Sequence, residues 1–191
     1  IIPAKCNKTD YQYLLNLNKL SADTWNYCVK IDKEYHKKNG KYMDMTTMQT
    51  AVKGYNELHA KGHNFVYRKY MSARNSMFKS IKANHENSNK VKLPYNEKKY
   101  VNTGWDYQSI ICDYKKGLIK MSRPYKLCDD GKRRRQQPVK CYTREIPKNI
   151  VEIELLYRNR LYLAIKYKEH EVEHLIQSNN SASIDLGEIH A

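Results

Sequence analysis

Apolar residues recur at helical spacing through the first third of the chain. Leu14, Leu17, Ala22, Trp25, Cys28, Val29 and Tyr35 keep roughly to the i, i+3, i+4 rhythm that places side chains on one helix face. Thr9-Asp10 offers an N-cap and Asn39-Gly40 a C-cap, so the spacing predicts one long helix between them. A second helix is predicted over Met45 to Lys53, where Thr46 or Thr47 can cap. A third is predicted from about Asn64 to Ala83, with Val66, Tyr70, Met71, Ala73 and Phe78 as its apolar stripe. Its other face carries Arg68, Lys69, Arg74, Lys79 and Lys82.

Asn84 to Lys99 is polar, rich in Asn and Lys, and holds Pro94, which marks a linker. Beyond it the period changes to two. Ser109 to Cys112 and Leu118 to Met121 flank Asp113 to Gly117 as a hairpin, and Val139 to Thr143 is a further strand. Between them, Lys132, Arg133, Arg134 and Arg135 follow Asp129-Asp130-Gly131 and read as a charged loop tip. The clearest alternation is Val151, Ile153 and Leu155 against Glu152 and Glu154. Arg158-Asn159-Arg160 then turns the chain into Leu161, Leu163, Ile165 and Tyr167. With a short strand over Ile1 to Lys5, the order is strand, helices, then antiparallel strands, an α+β arrangement. Glu169 to Ser183 is a polar connector into a final short apolar run.

Charge directs this frame toward a partner. The 35 Lys and Arg residues outnumber 20 Asp and Glu, giving a formal net charge of +15, which attracts polyanions before any specific contact forms. The 17 tyrosines add faces on which a base or sugar can stack, although a lineage rich in Lys, Asn and Tyr would give the same count. The five cysteines are widely spaced with no C-x-x-C pair, which argues against a disulfide framework and a zinc site in this segment and suits a reducing cytoplasm. No apolar run is long enough to span a membrane, and no signal peptide is visible. Ile1 in place of Met, and Ala191 inside an apolar run, suggest a segment of something longer.

Smaller constellations yield less chemistry. His59/His63 and His170/His174 have the i, i+4 spacing of helical zinc ligands but no nearby third ligand, so structural roles are expected. Trp25 falls on the helical stripe and should be core, whereas Trp105 could stack a base. No Gly-rich phosphate loop and no Ser/His/Asp or Cys/His arrangement is present.

The final run is Ser183-Ile184-Asp185-Leu186-Gly187-Glu188-Ile189-His190-Ala191. An aspartate inside an apolar strand is costly to bury unless a metal or cation compensates it, and Gly187 lets the chain turn beside that carboxylate. A ribonuclease-H-like fold begins with such an aspartate; an aspartate at a strand end or turn is the alternative. The pattern x-I-D-L-G-x-x-H-A, preceded by the paired strands of Asn149 to Lys168, by Leu93-Pro94-Tyr95 and by Arg123-Pro124, resembles the TnpB proteins of insertion-sequence transposons and the compact type V CRISPR effectors related to them.

That resemblance implies a wedge-type antiparallel β-barrel interrupted by a helical recognition domain and followed by the first strand of a RuvC-like, ribonuclease-H-like nuclease. On this chain the barrel would take residues 1–8 and 91–175, the recognition domain 9–90, and the nuclease would begin over 176–191. Asp185 would be the first catalytic carboxylate and a Mg²⁺ ligand. The family's later carboxylates and Cys-rich zinc element do not occur in this sequence, so this segment alone should not cut DNA. Guide RNA and target double-stranded DNA would be the partners, in a prokaryotic cytoplasm and with no membrane. Tyr67, Arg68, Lys69 and Arg74 would face nucleic acid from the third helix, and the cluster Lys132, Arg133, Arg134 and Arg135 would suit a guide-RNA or heteroduplex backbone, its arginines binding phosphate bidentately. Two alternatives stay open: a nuclease-dead RNA-guided DNA-binding regulator, and a stand-alone basic RNA-binding protein.

Overall fold

Asn7, not Thr9 or Asp10, starts the first helix: its side-chain oxygen accepts from the Asp10 amide at 2.7 Å. Any of the three could satisfy an orphan amide of the first turn. Asp10 is committed elsewhere, because its carboxylate takes the Arg123 guanidinium and the Lys140 amide. The computed structural model describes residues 1–83 and 96–169. Leu93-Pro94-Tyr95, His170/His174 and the Asp185 run therefore lie outside the described residues.

Helix α1 spans Lys8–Asn39, and Gly40 closes it with its N–H on the His36 carbonyl at 2.8 Å. Helix α2 (Met45–Val52) is capped by Asp44, not by Thr46 or Thr47; the Asp44 carboxylate accepts from the Thr47 amide at 2.7 Å. Helix α3 (Ala60–Ala83) begins a turn before the expected Asn64. Leu14, Leu17 and Cys28 of α1 bury against Val66, Tyr70 and Met71 of α3, with Trp25 edge-on to Tyr70 at 5.5 Å. Trp25 is thus core, as its place on the stripe predicts.

Nine strands form among the described residues. One sheet runs β1 (Ile2–Pro3), β9 (Arg160–Tyr167), β8 (Ile150–Arg158), β2 (Thr103–Asp106). A second runs β3 (Ile110–Asp113), β4 (Leu118–Met121), β7 (Val139–Tyr142). A separate ribbon pairs β5 (Tyr125–Leu127) with β6 (Arg133–Arg135). All pairings are antiparallel. The two larger sheets are joined where β2 passes through a 3-10 turn (Tyr107–Ser109) into β3, and where Lys5, just past β1, bridges to Tyr142 of β7. Inward residues of both sheets, among them Trp105, Ile119, Met121, Ile153, Leu155 and Leu163, share one apolar core with the helices.

The protein is therefore α+β, mixed helix with antiparallel sheets. The β8–β9 and β3–β4 hairpins stand where the alternation placed them. β2 was not anticipated: Thr103, Gly104 and Trp105 are all buried, so no period of two marks it. No helix among the described residues is long and apolar enough to cross a membrane.

Candidate nucleic-acid interface

Unpaired positive charge gathers on the β5–β6 ribbon. Asp130-Gly131 makes the turn: Gly131 sits at φ +72°, donates to the Cys128 carbonyl at 2.9 Å, and is followed by Lys132, whose amide reaches Asp130 at 3.0 Å. Register opposes Tyr125 to Arg135 and Lys126 to Arg134. Directly opposed residues share a face, so Tyr125 and Arg135 lie on one side of the ribbon, with Arg133 two residues away on that same side, and Lys126 and Arg134 on the other. All five cations, Lys126, Lys132, Arg133, Arg134 and Arg135, are exposed. Of these, Arg134 is paired with Asp130 at 3.0 Å; the other four have no ion pair among the described residues.

The expected loop tip is thus corrected in one respect: Arg133, Arg134 and Arg135 form a strand, and only Lys132 belongs to the turn. A row of arginines shows no apolar alternation, so the strand was not visible as one. The Asp-Gly dipeptide carried the hairpin signal, and Tyr125 and Lys126 are the ribbon residues that sequence reasoning missed.

Helix α3 divides the other four expected contacts. Arg68 is exposed and lines a cleft of 370 Å³ between α3 and the β2–β8 edge. The cleft's other cations are matched: Lys61 with Asp106 at 2.5 Å, Lys166 with Glu152 at 2.5 Å, and Lys69 with Glu154. Burial alone would raise the Asp106 carboxyl, but hydrogen bonds from Lys61 and Ser109 outweigh it and hold it below the usual carboxylate range. The hydrogen bond to Glu152 pushes the Lys166 ammonium up. Arg68 is left as the cleft's uncompensated cation among the described residues.

Tyr67 and Arg74 reach no surface partner, against expectation. Tyr67 is 1% exposed and Arg74 5%. Positions 63, 67, 70, 74 and 77 form an i, i+3, i+4 series, so the core face of α3 runs through both residues. Arg74 donates to Asp32 at 2.8 Å and to the Met43 carbonyl at 3.0 Å. The complementary signal was Asp32 itself, which sits three residues after Val29 in the apolar stripe of α1.

Trp105 does not offer a stacking face either. It is fully buried, donates from Nε1 to the Ser122 carbonyl at 2.9 Å, and has His59 stacked on it at 5.3 Å. His63, also buried, faces the Asn56 side-chain oxygen at 3.0 Å, so the His59/His63 pair is committed to packing. Among the described residues, no group of three or more His, Cys, Asp or Glu side chains is placed to hold a metal ion. The five cysteines are free thiols.

Compared with known proteins, the chain matches no family model, and no curated protein matches it in sequence.

Proposed function

We propose that this chain is a nucleic-acid-holding platform and that it serves as the N-terminal part of a TnpB-like, RNA-guided DNA endonuclease. The observation that carries the binding is the β5–β6 ribbon, where four exposed cations have no acid partner among the described residues. Arginine's planar fork matches phosphate oxygens two at a time, and a two-stranded ribbon is narrow enough for a nucleic-acid groove. The TnpB reading takes support from topology. β1 precedes the helices yet pairs with β9, so the three helices are inserted within a single sheet, as a recognition domain interrupting a wedge barrel would be. The connections between the larger sheets, among them Lys5–Tyr142 and the Tyr107–Ser109 turn, favour a barrel-like course.

Binding is tested on the 191-residue chain with duplex DNA and with folded RNA across a salt series. Each phosphate contact contributes about 0.9 to the slope of log K against log salt on duplex DNA. The double variant Arg133→Ala/Arg135→Ala should lower that slope by roughly 2 and weaken binding about 10-fold or more at low salt. An unchanged slope would remove the ribbon from the interface.

Guided cleavage is part of the same proposal and rests on Asp185. The parent protein, purified with its RNA, is incubated with matching duplex and Mg²⁺ beside Asp185→Ala. Cutting by the wild type alone is the expected result. Guided binding without cutting by either protein would point to a nuclease-dead regulator. RNA binding without RNA-directed DNA binding would leave a stand-alone RNA-binding protein.

A further inference from the structure

Some exposed tyrosine faces on this protein are covered and others are open. Tyr100 and Tyr157 cover one another at 4.6 Å, and Tyr27 and Tyr55 do so at 3.8 Å. Tyr142 and Tyr167, each 50% exposed, have no ring partner and no hydroxyl hydrogen bond among the described residues. Both line the same groove of 710 Å³, where β1, the end of β9 and the segment between β7 and β8 come together. That volume falls within the ~300–1,000 Å³ usual for ligand clefts.

The groove shares no lining residue with the arginine ribbon or with the Arg68 cleft. Ile2 and Ile165, both partly buried against the core, also line the groove and give it an apolar lining. Lys5, Arg144, Lys148 and Lys168 surround it, all exposed and none ion-paired among the described residues. Glu145 and Glu169 also line it, leaving four cations against two acids.

We propose that this groove binds a single-stranded segment of nucleic acid, with bases stacked on Tyr142 and Tyr167 and phosphates held by Lys5, Arg144, Lys148 and Lys168. The proposal rests on the nucleic-acid reading above and adds to it a second site of different selectivity. Open aromatic faces take unstacked bases, which a duplex keeps within its own stack, while the surrounding cations follow a backbone of either kind. An apolar lining with two open ring faces adds nothing to the binding of phosphate alone. A cationic rim likewise adds nothing to the binding of a neutral peptide.

The test is fluorescence anisotropy on the full 191-residue chain, with a labelled oligothymidine of about ten nucleotides, inside the range of one stacking site. The labelled duplex of the same sequence is the second probe. Tyr142→Ala/Tyr167→Ala should lose single-strand affinity by at least about 10-fold, since each stacked base contributes ~1–3 kcal/mol. Its duplex affinity should stay at the wild-type level. Tyr142→Phe/Tyr167→Phe keeps both rings and should bind single strands within about twofold of wild type. Circular dichroism confirms that both variants are folded.

Wild-type single-strand affinity in the alanine variant overturns the proposal and leaves the groove to a peptide partner. Equal losses for both probes overturn it too, because stacking selectivity is what it asserts. Loss of single-strand binding in Arg133→Ala/Arg135→Ala but not in the groove variant would sink the groove and leave the functional reading standing. A wild-type chain that binds neither probe would sink both.

Discussion

Asp32 accepts three hydrogen bonds at once, from the Met43 amide at 2.9 Å, the Tyr70 hydroxyl at 2.7 Å and the Arg74 guanidinium at 2.8 Å. Both charges are buried, with side chains 0% and 7% exposed, so each is tolerable only beside the other. Removing one partner from such a pair typically costs about 3–5 kcal/mol, because the other charge is stranded in the core. Asp32→Ala and Arg74→Ala should each show that loss in urea unfolding. The apolar double variant Asp32→Leu/Arg74→Met should lose much less than the sum of the two. Arg68→Ala, on the opposite face of α3, should change stability by no more than about 0.5 kcal/mol. Equal costs at positions 68 and 74 would refute the division of the helix.

His59 makes a second residue-scale prediction. Burial pushes its imidazole down to about 4, from an ordinary value near 6.5, and burial pushes His63 in the same direction. The unfolded chain takes up the proton first as pH falls, so the stabilisation is full above about pH 6.5 and is lost toward pH 4. For His59 the loss is at most about 3 kcal/mol. His59→Phe preserves a ring against Trp105 and removes the titration, so its unfolding midpoint should vary less over that window. The depressed Asp106 carboxyl acts in a lower window, since its contribution disappears only as pH falls below the ordinary carboxylate range.

At the scale of elements, turns decide the hairpins. Gly117 ends the β3–β4 turn at φ +59°, and a Cβ there would lie 2.2 Å from the Thr143 carbonyl oxygen. Its own carbonyl accepts the Thr143 amide at 2.9 Å, so neither backbone can withdraw without breaking that bond. Gly117→Ala should cost about 2 kcal/mol or more through combined strain and clash, measurable as a lowered thermal midpoint. Asn159, at φ 59°, turns β8 into β9; Asn tolerates that conformation where a β-branched residue does not. Asn159→Val should therefore destabilise by about 1–2 kcal/mol while Asn159→Gly stays near wild type.

These turns were legible in the sequence because their residue types announce their geometry, and α1 was legible because its stripe runs unbroken for several turns. β2 and the ribbon were not, for opposite reasons. One strand is buried throughout its first three residues and the other is exposed throughout, and alternation needs one face of each kind. The candidate site divides along the same line. Composition found Lys132 to Arg135 as charge. It could not tell Arg68 from Arg74, since both follow from one helical pattern and only the position of Asp32 separates them. Nor could it separate Tyr142 and Tyr167 from Tyr100 and Tyr157, because periodicity gives the side of a strand and not whether another ring covers it.

At the scale of the whole molecule, the helices and strands share their interior. Asn18 of α1 donates to the Val101 carbonyl at 3.1 Å and to the Leu155 carbonyl of β8 at 3.4 Å, while the Val101 amide returns to the Asn18 carbonyl. His59, one residue before α3, stacks on Trp105 of β2, and Arg123 joins the sheet region to Asp10 of α1. A core held by such ties has no internal boundary at which the helical part could melt and leave the strands folded. The two tryptophans report on the two parts, Trp25 from α1 and Trp105 from β2. Single-tryptophan variants, Trp25→Phe and Trp105→Phe, should therefore give urea transitions by fluorescence that coincide with each other when each is compared with far-UV circular dichroism of the same variant. A fluorescence midpoint displaced from the dichroism midpoint in either variant would mean that the helical insert folds as a unit of its own. The β-ribbon and the Tyr142–Tyr167 groove would then be carried by a strand body able to move against the helices. Coincidence would mean that helices and strands, and with them the β5–β6 ribbon and the Tyr142–Tyr167 groove, unfold as one cooperative unit.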